Sequence, residues 1–130
     1  MALSARILSI GDDDNLRLSR ELILRKEGYE VKSVTSNDAL KALPPGSFDI
    51  AIISQSVAHG RAMHVAAVLR AINPGIRILR VQELPSVPDH SYDLDCETFS
   101  GPGAFLNAVK ALCGSAGAAQ KVEPVNLNAP

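Results

Sequence analysis

Two short runs hold most of the residues that could do chemistry. "GDDD", residues 11–14, sets three acids side by side after a short apolar stretch. Carboxylates so placed either supply hard oxygen ligands to a divalent cation or cap the helix that follows, because an Asp side chain accepts from the free N–H groups of a first helical turn. "SQS", residues 54–56, follows the almost wholly apolar "FDIAII". A serine hydroxyl attacks only when a base takes its proton, and no histidine is placed beside Ser54 by the sequence. Asp49 begins the same apolar stretch at its far end and cannot stand in for a carboxylate at its tip. His59 and His64 are five positions apart, off a common helical face, and read as surface or boundary residues rather than a metal pair. Cys96 and Cys113 lie seventeen positions apart with no CxxC, so reduced thiols are expected. "GPG" at 101–103 has no following Lys-Ser/Thr and is no phosphate loop. No set of nucleophile, base and orienting group supports an enzyme.

These residues are placed by alternating strands and helices. "RILSI", 6–10, reads as a strand running into a helix that Asp13 or Asp14 caps and Gly28 closes, with Leu18, Leu22 and Arg25 at helical spacing. "YEVKSV", 29–34, alternates with period two as a strand does, and Ser36 can cap the short helix that Pro44-Pro45-Gly46 ends. "FDIAII" is the third strand, its unbroken apolar run implying burial on both faces as in a parallel sheet. Residues 61–75 read as a helix offering Met63, Ala66, Ala67, Leu69 and Ile72 for packing and stopped by Asn73-Pro74-Gly75, and "IRILRV", 76–81, is a fourth strand. "QELPSVPDHS" is poor helix material because Pro85 and Pro88 each remove a donor. "YDLDCET", 92–98, is a weak fifth strand, and 101–114 a last helix with Pro102 near its start and Gly114 after its end. Such alternation implies a doubly wound α/β fold, a parallel sheet with helices on both faces. Ligands in such sheets sit beyond the carboxyl ends of the strands, so neighbouring first and third strands would bring "GDDD" and "SQS" to one edge.

The 130 residues are 46% hydrophobic and 4% aromatic, which predicts one domain with an aliphatic core, over residues 1–114, and a flexible, unpatterned tail over 115–130. Thirteen basic against fourteen acidic residues give a net charge of -1, with no basic excess for nucleic acid. The N-terminal apolar stretch is too short and interrupted for a signal peptide or membrane span, so a cytoplasmic location is expected.

The run "RILSIGDDDNLRLSRELILRKEGYEVKSVTSNDALKAL" resembles the first half of a response-regulator receiver domain: an apolar strand, adjacent acids, an amphipathic helix and a Gly-Tyr-Glu-Val-like second strand. The resemblance spans about residues 5–113 and thins after 82. It implies a five-stranded doubly wound sheet of flavodoxin-like order 2-1-3-4-5, with helix four shortened or lost here, the stretch between strands four and five being about four residues short of the family's. In the family an aspartate ending strand three takes a phosphoryl group from a histidine kinase, two acids after strand one hold Mg²⁺, and a Thr or Ser after strand four and a Lys after strand five meet the phosphoryl oxygens.

Carried onto this sequence, the phosphoacceptor position is Ser54, and the two acid positions are Gly11 and Asp12, with Asp13 next to them. The hydroxyl position is Gln82, or Val81 if the register slips by one, and the lysine position is Thr98, or Glu97. The loop after strand three also lacks the family's proline and is about two residues short. The resemblance is therefore to a degenerate pseudo-receiver, with no metal beyond weak Mg²⁺ binding at Asp12 and no cation to balance a phosphoryl group. A basic side chain reaching the cleft from elsewhere would contradict that account.

The function expected is that of a signalling module that docks a histidine kinase, an output protein or a second copy of itself, independently of phosphorylation. A phosphoacceptor working through Asp12 or Asp13, and a small-molecule binder in the vacated cleft, are the alternatives. Too few residues follow 114 for a DNA-binding domain, so any effect on transcription is expected to pass through a partner, or the sequence is part of a longer chain.

Overall fold

The computed structural model describes residues 5–41, 48–82, 92–97 and 101–118. Five strands form one parallel sheet: β1 Arg6–Ile10, β2 Glu30–Val34, β3 Ile50–Ile53, β4 Arg77–Gln82 and β5 Leu94–Glu97. Their order is β2-β1-β3-β4-β5, which makes β1 and β3 the neighbours that the edge geometry requires. The helices between and after them are α1 Asp14–Lys26, α2 Ser36–Lys41, α3 His59–Ile72 and α4 Gly101–Ala118.

Alternation of side chains along each strand fills both faces of the sheet. Leu8, Ile10, Ala51, Ile53 and Ile78 face one way and pack with Ala62, Val65, Ala66 and Leu69 of α3. Ile7, Ile50, Ile52, Leu79 and Val81 face the other way and meet Leu24 of α1 and Phe105, Val109 and Leu112 of α4. All four residues of β3 are buried, as its unbroken apolar run implies.

Several local expectations need correction. In α1 the inward residues are Arg20 and Leu24, while Leu18 and Leu22 are 55% and 60% exposed. The leucine spacing is helical but marks the outer face, because a period of 3.6 gives the face and not its direction. In α3 Ala62 and Val65 join Ala66 and Leu69 inside, whereas Met63, Ala67 and Ile72 face outward. The helix begins at His59 rather than at 61. Ser36 does not cap α2; the Thr35 hydroxyl accepts from the Asp38 N–H at 3.1 Å, and Ser36 is the first residue inside. Gly114 lies within α4, which runs on to Ala118. A glycine costs about 1 kcal/mol in a helix relative to Ala but does not stop one unless its backbone turns left-handed, and Ser115, Ala116, Gly117 and Ala118 continue the helix here. Gly28, at φ +96°, does make that turn and ends α1 as expected.

Pro44-Pro45-Gly46, residues 83–91 where helix four was expected to be reduced, and the tail after 118 lie outside the described residues.

Candidate functional site at the strand ends

The C-terminal edge of β1 and β3 brings "GDDD" beside "SQS". Ser54 continues β3, its N–H donating to the Ile10 carbonyl at 2.9 Å, and its side chain falls on the α1 side of the sheet with Ile50 and Ile52. Only 4% of Ser54 is exposed.

Ser56 ties the two loops together. Its hydroxyl accepts from the N–H groups of Asp12 at 2.9 Å and Asp13 at 3.2 Å, and donates to Ser54 Oγ at 3.0 Å. Ser54 Oγ in turn donates to Gln55 Oε1 at 3.2 Å. An amide oxygen is no base, so this geometry directs the Ser54 proton to a group that cannot remove it. The Ser56 N–H also points to Ser54 Oγ at 3.2 Å.

The three acids are engaged separately. Both oxygens of Asp12 accept from Ser36, Oδ1 from its N–H at 2.9 Å and Oδ2 from its hydroxyl at 2.8 Å, which fastens the β1–α1 loop to α2. Asp13 Oδ1 accepts from the Leu16 N–H at 2.9 Å as the N-cap of α1. Asp14 pairs with Arg17 at 2.7 Å, and Arg17 also donates to the Gly11 carbonyl at 2.8 Å. Asp12 and Asp13 therefore do not form a shared acidic pocket. Mg²⁺ demands near-octahedral oxygen ligation, and this donor set does not fit it: the second acid position is Gly11, and the Asp12 carboxylate is turned to Ser36. Among the described residues no group of three or more Asp, Glu, His or Cys side chains is placed to hold a metal ion.

The expectation that no cation reaches the cleft is overturned. Arg20, on the inner face of α1, donates from Nη1 to Ser54 Oγ at 2.9 Å, with its guanidinium 5.5 Å from the centre of the Phe105 ring. Arg80, buried in β4, donates to the Ser54 carbonyl at 2.7 Å and to the Val57 carbonyl at 3.0 Å, and lies 5.9 Å from the centre of the Tyr92 ring. One cation thus holds the side chain of residue 54 and another its backbone, from opposite faces of the sheet. Only Arg80 could have been suspected in the sequence, since it stands within the strand "IRILRV" between apolar Leu79 and Val81.

The remaining candidates are more scattered. Gln82 ends β4, opposite Glu97 in register. Thr98 lies outside the described residues. His59 and His64 are exposed on α3. Cys113 is a free thiol that burial pushes above its ordinary range, an unreactive setting. Among the described residues no helix is long and apolar enough to cross a membrane.

No protein-family model matches the chain, and no curated protein matches it. Solved structures do. A CheY-like response regulator receiver domain protein from Methanospirillum hungatei superposes with a TM-score of 0.74 at 21% identity, covering 88% of this chain and 97% of its own. The Thermotoga maritima response regulator TrrA, in complex with Mg²⁺-BeF, gives a TM-score of 0.71 at 22% identity over 83% of this chain and 98% of its own. The same regulator solved with its histidine kinase ThkA gives 0.70 at 24% identity, over 83% of this chain and 97% of its own. The chain has the fold of response-regulator receiver domains.

Proposed function

We propose that the chain is a cytoplasmic, non-catalytic signalling module of the receiver type whose strand-end cleft is held closed by its own side chains and is not driven by phosphoryl transfer. One observation carries this reading: the atom at the phosphoacceptor position, Ser54 Oγ, is a buried hydroxyl hydrogen-bonded to Arg20, Gln55 and Ser56. A carboxylate is ionised at neutral pH and attacks without help; this hydroxyl has no base beside it in that network. The ground for inertness is the missing nucleophile and the engaged acids, not a missing cation. A module of this kind acts through protein contacts, with a histidine kinase, an output protein or another copy as the partner class. That a regulator of the same fold was solved with its histidine kinase supports the partner class.

The test is incubation with acetyl phosphate and Mg²⁺, and separately with beryllofluoride and Mg²⁺, followed by intact mass and amide NMR spectra. No adduct and no Mg²⁺-dependent shift are expected. A covalent phosphate, or beryllofluoride shifts centred on Ser54 or Asp12, would sink the reading in favour of a working phosphoacceptor.

The small-molecule alternative has one observation in its favour, the Arg20 guanidinium at Ser54. A guanidinium beside hydroxyl and amide donors suits a small anion. Inorganic phosphate without Mg²⁺ separates the two: saturable shifts around Arg20, Ser54 and Ser56 favour an anion binder.

A further inference from the structure

α1 is turned with its arginine inward and its leucines outward. Arg20 and Leu24 face the sheet, while Leu18 and Leu22, one turn apart, form the outermost line of the helix at 55% and 60% exposure. Two adjacent leucines on that line form a small apolar patch that a partner would cover. The groups around them say what. On a 3.6-residue wheel Asp14 and Arg25 fall on one side of the leucine line, and Asn15 and Lys26 on the other. The side chains of Asp14 and Arg25 are 85% and 52% exposed; each already forms an ion pair on its own helix, Asp14 with Arg17 and Arg25 with Glu21, and Arg25 also donates to the Val31 carbonyl, so pairing across copies shares or exchanges these contacts.

We infer that this face pairs with α1 of a second copy, antiparallel, about a two-fold axis level with residue 20 along the helix, on the side away from the inward Arg20 side chain. In that arrangement Leu18 of each copy lies over Leu22 of the other. The same rotation sets Asp14 of one copy beside Arg25 of the other, and Asn15 beside Lys26. The pattern is self-complementary, as an isologous contact must be. Antiparallel helix dipoles add to it, the positive end of each α1 lying by the negative end of its mate. One short helix pair buries less than the roughly 1,000 Å² of a long-lived interface, so the dimer is weak and reversible. The inference rests on the interaction-module reading for its biological sense, though not for its geometry.

Sedimentation velocity on the full chain, from about 10 μM to about 1 mM, brackets the affinity that so small an interface carries. The wild-type chain should shift from monomer to dimer across that range. L18E and L22K, both at exposed positions, should each weaken self-association at least about tenfold, with unchanged circular dichroism. Mixed in equal amounts, L18E and L22K should associate again, because the mixed pair contains one Glu–Lys contact and one Leu–Leu contact. Only the antiparallel two-fold register gives that recovery. A monomeric wild type at the highest concentration, a dimer indifferent to L18E, or variants that do not recover on mixing would each overturn the inference. Those results leave the interaction-module reading standing with a different partner, whereas phosphoryl capture at the cleft removes that reading and leaves the dimer.

Discussion

Arg20 Nη1 and Ser54 Oγ meet at 2.9 Å across thirty-four residues of chain, in a buried position at the junction of α1 and β3. A guanidinium held by a neutral hydroxyl is weaker than one held by a carboxylate, yet removing the hydroxyl takes an acceptor from a buried charge donor. The bond is therefore a structural commitment of the cleft as well as an obstacle to its use.

Ser54→Ala should lower stability by about 1–3 kcal/mol, since both Arg20 and the Ser56 hydroxyl lose an acceptor. For a chain of 130 residues that is a fall in Tm of about 3–5 °C per kcal/mol. Ser54→Asp restores an acceptor of opposite charge beside Arg20 and should melt above Ser54→Ala at neutral pH. Thermal melts of the two variants measure this. Equal melting temperatures would mean that the Arg20 contact contributes nothing.

Asp12→Ala should cost about 1–2 kcal/mol, because two hydrogen bonds from Ser36 to a charged acceptor disappear. Millimolar Mg²⁺ should leave the Tm of both wild type and variant unchanged. A Mg²⁺-dependent rise in wild type that vanishes in Asp12→Ala would show that the Asp12 carboxylate serves a metal instead.

Past the C-terminal end of α1, Tyr29 packs with Cys113 of α4. Burial first, then the neighbouring Cys113 sulfur, push the Tyr29 phenol from 10.0 up to about 12. The folded state thus favours the neutral phenol. A group raised in the folded state contributes stability that is complete below its unfolded value and disappears as pH climbs to its folded one. The Tyr29 contribution should hold up to about pH 10 and fade between there and about pH 12. Denaturant midpoints of wild type and Tyr29→Phe at stepped alkaline pH check this: the wild type should lose midpoint faster across that window.

The sheet was largely legible in the sequence because period-two and unbroken apolar runs report burial directly. β3 and the meeting of "GDDD" with "SQS" follow from topology alone. The inward face of α1 was not legible, because its apolar residues Leu16, Leu18, Leu22, Ile23 and Leu24 surround the helix, and only packing decides that Arg20 goes inside. The same holds for Ser36, a plausible cap that the neighbouring Thr35 displaces and Asp12 recruits. Residue-by-residue transfer from a family could find absent groups at Gly11 and Ser54. It could not find Arg20, Arg80 or Ser56, none of which is among the positions carried over.

Gly11 shows how far the cleft has been rebuilt around those entries. A Cβ there would meet Ser54 Cβ at 3.3 Å, Ser56 Oγ at 3.5 Å and Arg17 Cβ at 3.7 Å. Ser54 is pinned by its strand bond to Ile10, and Ser56 by two N–H donors, so neither gives way easily. Gly11→Ala should therefore destabilise by about 1–3 kcal/mol through overpacking. Ser56→Ala, which opens the loop-to-loop tie, should cost a similar amount alone. Because the tight contact is with Ser54 Cβ at 3.3 Å and the Ser56 hydroxyl is one of the groups that hold Ser54 in place, the double variant should be less destabilised than the two costs added, by about 0.5 kcal/mol or more. Chemical denaturation of the four chains closes the cycle. Strict additivity would mean that Gly11 is small for a reason unrelated to the closed cleft.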